Sequence, residues 1–459
     1  MAGDRDVVIE ALRAALGPAA VLAGDEVGDR HRSDASLTGA SLPCAVLRPD
    51  SVEGVAAALR ICNDHRQPVV PQGGMTGLAG GANPREADIA LSLERFAGVE
   101  EIDAASATMT VRAGVVLETA QQAAEDAGFL LPIDLGARGS CQIGGVIATN
   151  AGGVRVIRYG QTRDNVLGLE AVLANGAVLT SLNKALKNNT GYDLRQLFIG
   201  SEGTLGVVTR AVLRLRPLPV GRRTALCAAA GYPQVLALLD RARVRLAGLS
   251  AFEVMWERYF QFNEEAAGLR HFDDRHPFVV IVEQEINAAD SGDAFEPFLA
   301  SCLEDGVLTD CLVAQSERER ASFWTVREGH AMDQLLPKLV NLDVSMEAGR
   351  LGDFAAACEA ALLARFPEAH VSFYGHLGDG NLHVAVSAPH ASDEDVAAIS
   401  GVAYDLVRER QGSISAEHGV GVLKRPYLAY SRSDNELDAM RRIKAALDPN
   451  GILNPGKVI

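Results

Sequence analysis

The sequence predicts an α+β protein of two mixed domains, and three observations carry that expectation. Short apolar, β-branched runs alternate with helix-length amphipathic stretches in both halves of the chain. Of 45 glycines, 21 lie between Gly73 and Gly206. That density falls around Pro217-Leu218-Pro219, where a domain boundary is expected. A chain of 459 residues has room for two or three domains of ~150 residues.

The elements follow in order. Ala45-Val46-Leu47-Arg48-Pro49 reads as a short strand. Asp50-Ser51-Val52-Glu53 supplies an N-cap with an acid three residues on, which starts a helix from Val52 to about His65. Strands are expected at Pro68-Val69-Val70, Ile89-Ala90-Leu91-Ser92-Leu93 and Met109-Thr110-Val111-Arg112, and a helix from about Leu117 to Gly128. The second half offers a strand at Phe278-Val279-Val280-Ile281-Val282 and a helix from Phe354 to Arg365. A further helix, from about Asp393 to Arg410, carries Val396, Ile399, Ala403 and Leu406 on one face. The expected division is 1–218, 219–411 and a C-terminal segment, 412–459, that packs back on the first domain.

Composition excludes several classes. Asp plus Glu exceed Lys plus Arg by 59 to 43, a net charge of −16, so nucleic acid and anionic membranes are poor partners. The N-terminus lacks the apolar core of a signal peptide, and no apolar run reaches the ~18 residues of a membrane span. Seven scattered cysteines form no C-x-x-C pair, which argues against a disulfide framework, a zinc ribbon and an iron–sulfur cluster. A reducing cytoplasm is the expected location.

Three glycine loops carry the first chemical signal. Val69-Val70-Pro71-Gln72-Gly73-Gly74-Met75-Thr76-Gly77-Leu78 is a strand running into nearly bare backbone, whose exposed N–H groups form an anion nest suited to a pyrophosphate. Neither G-x-x-x-x-G-K-S/T nor G-x-G-x-x-G after a strand occurs, so a P-loop and a Rossmann site are excluded. The second loop runs Gly139-Ser140-Cys141-Gln142-Ile143-Gly144-Gly145 and on through Thr149-Asn150-Ala151-Gly152-Gly153. The third is Gly200-Ser201-Glu202-Gly203-Thr204-Leu205-Gly206-Val207. In this order, with Arg158-Tyr159-Gly160 and Lys187-Asn188-Asn189-Thr190-Gly191-Tyr192-Asp193 between, they resemble the two-subdomain FAD-binding module of the vanillyl-alcohol oxidase / p-cresol methylhydroxylase superfamily. The resemblance implies pyrophosphate on the first loop and flavin along the second. FAD contacts are then expected from Pro71, Gly73, Gly74, Met75, Thr76, Gly77, Gly139, Ser140, Ile143, Gly144, Gly145, Thr149, Asn150, Gly152, Gly153, Tyr159, Glu202, Gly206 and Val207. The first loop has no histidine, so the FAD is expected without a covalent link.

A second signal lies in the C-terminal half. His376 and His383, seven apart, would face opposite ways on one strand, but the turn at Leu377-Gly378-Asp379-Gly380-Asn381 folds two strands together and lets both imidazoles converge. Glu417-His418-Gly419 adds a carboxylate and a third imidazole. His376, His383 and Glu417 leave a coordination position open, as in a catalytic metal site. Zn²⁺ leads, with Mn²⁺, Fe²⁺ and Co²⁺ open.

The G-H-L-G-D-G-N-L-H run, Ala416-Glu417-His418-Gly419 and the tail Leu447 to Lys457 resemble the FAD-linked D-2-hydroxy acid dehydrogenases. That family includes D-2-hydroxyglutarate dehydrogenase, D-lactate dehydrogenase and the glycolate oxidase flavin subunit. It implies a second, α+β substrate (cap) domain and a tail that returns to the flavin through Asn454. It also implies that Arg327, in Trp324-Thr325-Val326-Arg327-Glu328, grips a substrate carboxylate; structural pairing with Glu328 is the alternative. His418 is placed as general base for the substrate hydroxyl. Ala331, Asn341 and Ala385 depart from the 2-hydroxyglutarate pattern, which has threonine, lysine and asparagine there, so Asn341 is expected to hydrogen-bond a smaller or less charged acid. With no cluster motif in the chain, a separate electron acceptor is implied, an electron-transfer flavoprotein or a quinone-linked partner. A homodimer is compatible with the chain. Another alcohol-oxidising flavoenzyme and a non-catalytic flavoprotein subunit remain the competing readings.

Overall fold

The computed structural model describes residues 2–287 and 293–459. The chain forms two compact units: Met1–Gly152 with Gln161–Pro217 and Glu417–Ile459, and Gly153–Gly160 with Leu218–Ala416. The α+β class holds, with helices and sheets interleaved in both.

In the first unit, a four-stranded sheet has the order Val21–Ala23, Ala45–Leu47, Ile89–Ser92, Val69–Gln72. Its central pairings are parallel, and the apolar run Ile89-Ala90-Leu91 is buried throughout, as strands covered on both faces require. Helix Val52–Asp64 is capped by the Ser51 hydroxyl, which accepts the Gly54 N–H, a bond worth ~1 kcal/mol. Val55, Ala58, Leu59 and Cys62 form its buried face. A five-stranded antiparallel sheet follows, in the order Val99–Asp103, Thr108–Arg112, Val207–Arg214, Val166–Val172, Val178–Ser181. Val69 and Leu91 of the first sheet share one apolar core with Met109, Val111 and Ala171 of the second.

The tail extends the first sheet. Val69 N–H donates to the Ile452 carbonyl and Asn454 N–H to the Val69 carbonyl, each at 2.8 Å. Asn454 Nδ2 then donates to the carbonyls of Gly81 (3.0 Å) and Glu202 (2.7 Å), tying the tail to the first and third glycine loops. Lys457, only 3% exposed, has its ammonium pushed down to about 8 by burial, which the charge of Asp88 only partly offsets. A depressed ammonium contributes stability above its ordinary 10.5 that is lost as pH falls through about 8. Across that window stability is expected to rise with pH by roughly 3 kcal/mol. Thermal melts of Lys457→Met should lack this rise; a slope equal to the parent's would contradict the burial argument.

The second unit is built on a seven-stranded sheet ordered Asp310–Val313, Gly221–Ala229, Phe278–Ile286, Leu249–Trp256, His370–His376, Asn381–Ser387, Leu339–Ser345. Every pairing is antiparallel. Cross-strand partners share a face, so the register puts Glu283, Glu285, Glu253, Tyr374, His376, His383, Asn341 and Asp343 on one side. Helices Glu257–Ala266 and Glu317–Glu328 cover that side through Tyr259, Phe260, Phe323 and Val326. Trp256, Phe278 and Phe373 point the other way, where Trp256 and Phe278 meet Tyr232 of helix Tyr232–Arg245.

Candidate functional site

The first unit contains a cavity of about 380 Å³ walled by the three glycine loops. Pro71, Gly73, Gly74, Met75, Thr76 and Gly77 line it from the first loop, Gly144, Gly145 and Thr149 from the second, and Glu202, Gly206 and Val207 from the third. The first two loops touch backbone to backbone: a Cβ on Gly74 would lie 2.0 Å from the Ser140 carbonyl oxygen. Met75, Asn150, Glu202 and Asn454 hold left-handed backbone, at φ 59, 50, 50 and 43°. Such strain gathers where surroundings fix a ligand-binding loop.

Other residues expected at the cofactor support the wall instead of lining it. Ile143 belongs to the apolar core. Asn150 caps helix Ile143–Thr149, and its side chain bonds Gln161 and the Arg163 N–H. Gly139, Ser140 and Gly152 lie toward the two ends of the second loop, outside the cavity lining, and Asn454 braces the first and third loops from the tail. Gly153 and Tyr159 belong to the second unit. There the Tyr159 hydroxyl donates to Glu285, and burial together with that carboxylate pushes the phenol up to about 12. Lys187 to Asp193 form an exposed loop.

Glu202 has a definite task. Its half-buried carboxylate accepts the N–H groups of Val420 (2.7 Å) and Gly421 (2.8 Å). Burial raises its pKa, and these two amides oppose the rise. The clamp holds the turn directly after Glu417 and His418, and both of those residues line the cavity. Gln142 Oε1, also on the wall, is buried without a hydrogen-bond partner among the described residues. An orphaned acceptor beside bare glycine backbone fits a ligand bearing anionic phosphates and N–H or O–H donors, as FAD does. Asp34 lines the cavity too, its carboxyl raised by burial against the bonds from Ser36. It stands in an irregular stretch with no motif, so nothing in the sequence marked it.

The polar face of the second unit centres on Glu253. Its carboxylate takes Arg327 Nε at 2.8 Å and Nη2 at 2.6 Å, and His376 Nδ1 at 2.8 Å. Burial pushes the Glu253 carboxyl up, but His376 and Arg327 outweigh it and hold the group below its ordinary value. The Arg327 partner is thus Glu253. The Arg327 guanidinium also lies over the Tyr374 ring, 4.8 Å from its centroid. Tyr374 stacks between Tyr259 and His383, at centroid distances of 4.0 and 4.8 Å. The rings of His376 and His383 meet edge to face at 5.4 Å. Asp343 stands directly across from His383, and Asn341 across from Ala385. Asp343 accepts the N–H of Ala416, the residue before Glu417.

Glu253 belongs to none of the sequence motifs; its signal is one carboxylate inside the apolar strand Ser250-Ala251-Phe252-Glu253-Val254-Met255. Glu253→Ala would leave the Arg327 charge buried without its partner and is expected to cost about 3–5 kcal/mol in denaturant unfolding. Glu253→Ala with Arg327→Met removes both charges and should recover part of that loss; a double variant no more stable than the single one would contradict the pairing.

A nucleotide-sized cavity of strained glycine loops and a sheet face bearing a buried carboxylate, an arginine and two imidazoles define a flavin-dependent oxidoreductase. Residues 218–458 match the family of FAD linked oxidases, C-terminal domain, and residues 43–181 match the FAD binding domain family. A D-2-hydroxyglutarate dehydrogenase of Xanthomonas citri pv. viticola is 41% identical, over 91% of this chain and 89% of that protein. Another from Stutzerimonas stutzeri is 35% identical over 98% of both. Among solved structures, p-cresol methylhydroxylase with substrate bound superposes with a TM-score of 0.79 at 16% identity, over 100% of this chain and 97% of that one, a likeness of fold. The chain belongs to the FAD-linked oxidase family that contains these dehydrogenases. FAD is its cofactor.

Proposed function

We propose that the protein oxidises a D-2-hydroxy acid to the 2-oxo acid, with hydride passing to non-covalently bound FAD and a divalent cation, Zn²⁺ first among candidates, at His376, His383 and Glu417. The carrying observation is the pairing of His376 with His383 beside the Glu253–Arg327 ion pair on one sheet face, in a chain whose relatives are named D-2-hydroxyglutarate dehydrogenases. Two imidazoles and a carboxylate make a donor set for a metal ion. The buried Glu253 fits that role, because a carboxylate on Nδ1 fixes the tautomer and puts the lone pair on Nε2. Bound FAD supplies the hydride acceptor, and a bound cation supplies Lewis acidity toward the substrate oxygens.

The chain's own residues do the rest. Arg327 presents its remaining guanidinium edge to the substrate carboxylate, while Glu253 fixes the orientation of the fork. His418 accepts the proton of the C2 hydroxyl on its imidazole as the hydride leaves C2. Asn341 hydrogen-bonds the substrate tail, and the neutral pair Asn341–Ala385 favours an acid smaller or less charged than 2-hydroxyglutarate, such as D-lactate. A separate acceptor, an electron-transfer flavoprotein or a quinone-linked partner, takes the electrons onward. Among the described residues, no helix is long and apolar enough to cross a membrane. The seven thiols are all free, which suits a cytoplasmic setting. A dye-reduction screen over D- and L-2-hydroxy acids, with and without a chelator, tests this reading. Turnover of D-acids that a chelator abolishes is expected; no turnover of any 2-hydroxy acid would return the flavin to a different alcohol.

A further inference from the structure

Away from the cavity and the polar sheet face, the second unit brings two thiols together. Cys227 of strand Gly221–Ala229 and Cys311 of strand Asp310–Val313 are direct cross-strand partners, with Sγ atoms 3.7 Å apart. Ala314 N–H donates to the Thr224 carbonyl. The antiparallel alternation then makes Cys227 and Cys311 a non-hydrogen-bonded pair, whose Cα atoms lie ~4.5 Å apart, within the span a disulfide bridges. Strand Asp310–Val313 is the edge of its sheet. Cys311 is half-buried there, whereas Cys227 is fully buried one strand in. One thiol therefore meets solutes and the other waits behind it.

We propose that Cys227 and Cys311 form a redox-sensitive dithiol that closes to an intramolecular disulfide when a hydroperoxide reaches the edge strand. The Cys311 sulfur attacks one peroxide oxygen, the O–O bond breaks, and Cys311 becomes a sulfenic acid as water or an alcohol leaves. The Cys227 sulfur then attacks the Cys311 sulfur, the S–S bond forms, and the hydroxyl departs with the Cys227 proton as water. Each sulfur is oxidised by one electron and the peroxide is reduced by two. The neighbouring Cys311 thiol and burial hold Cys227 protonated, consistent with its acting second. In a reducing compartment such a bond is transient, a switch and not a staple. The edge strand leads directly into helix Glu317–Glu328, which carries Arg327, so the bond fastens the root of that helix.

The test treats the full-length, FAD-loaded protein with hydrogen peroxide, blocks remaining thiols with N-ethylmaleimide and digests it without reductant. A peptide joining Cys227 to Cys311 is expected, about 2 Da below the sum of the two reduced peptides and abolished by dithiothreitol. In Cys227→Ala, Cys311 should stop at the sulfenic acid and take up dimedone several-fold more than the parent does. A parent in which Cys311 is oxidised without the link, a link from Cys227 to the buried Cys302 instead, or equal dimedone uptake by parent and variant would each overturn the proposal.

Discussion

His418→Ala is expected to slow reduction of the bound flavin by a 2-hydroxy acid at least ~100-fold while leaving FAD in place, the range for loss of a general base. His418 stands on the cavity wall, and its position is set from behind by the Glu202 carboxylate, which grips the next two amides but one along the chain, Val420 and Gly421. That clamp is made to backbone amides, so it stays in place when the imidazole is truncated and a proton acceptor is removed. Rapid mixing under anaerobic conditions reads the reduction step, and the visible flavin spectrum reads occupancy. Reduction at the parent rate would remove His418 as base. Loss of the flavin spectrum would assign it to cofactor binding instead.

Gly74→Ala is expected to yield colourless protein, with affinity for added FAD at least ~100-fold weaker. The new Cβ would sit 2.0 Å from the Ser140 carbonyl oxygen. The Cβ position is fixed by the backbone and the Ser140 oxygen is itself backbone, so no side-chain rotation relieves the clash, and the first and second loops must separate. The loops are the cavity wall, and their separation removes the nest for the pyrophosphate. Gly28→Ala is the control: a Cβ there meets nothing within 4 Å, so its FAD content should match the parent's. A yellow Gly74→Ala protein would show that the cofactor does not depend on this contact.

Much of this was legible because the relevant signals are local. The three glycine loops announce bare backbone, and the cavity forms between them. The strand–turn–strand run from His370 to Ser387 contains its own reversal, so the meeting of His376 and His383 follows from the turn. Helix Ala348–Arg365 starts earlier than the apolar pattern from Phe354 indicates. Gly349 and Gly352 lower the helical propensity of its first turns, and Gly352 is needed because a Cβ there would lie 2.5 Å from the Tyr232 ring. That contact is tertiary and leaves no trace in the local pattern. The same holds for Glu253, whose partners Arg327 and His376 lie 74 and 123 residues away, and for the entry of Gly153–Gly160 into the second unit, where Arg155 meets Glu283 and Tyr159 meets Glu285. Sequence showed which groups are present; strand register decided which of them share a face.

The most direct measurement is the anaerobic reduction of the Zn²⁺-loaded, FAD-bound protein by a D-2-hydroxy acid and by the same acid deuterated at C2, before and after chelation. Bleaching of the flavin with a primary isotope effect is expected, lost on chelation with the FAD still bound and recovered when Zn²⁺ is restored. Bleaching that ignores both the deuterium and the chelator would contradict hydride transfer from C2 at a site built on His376, His383 and Glu417.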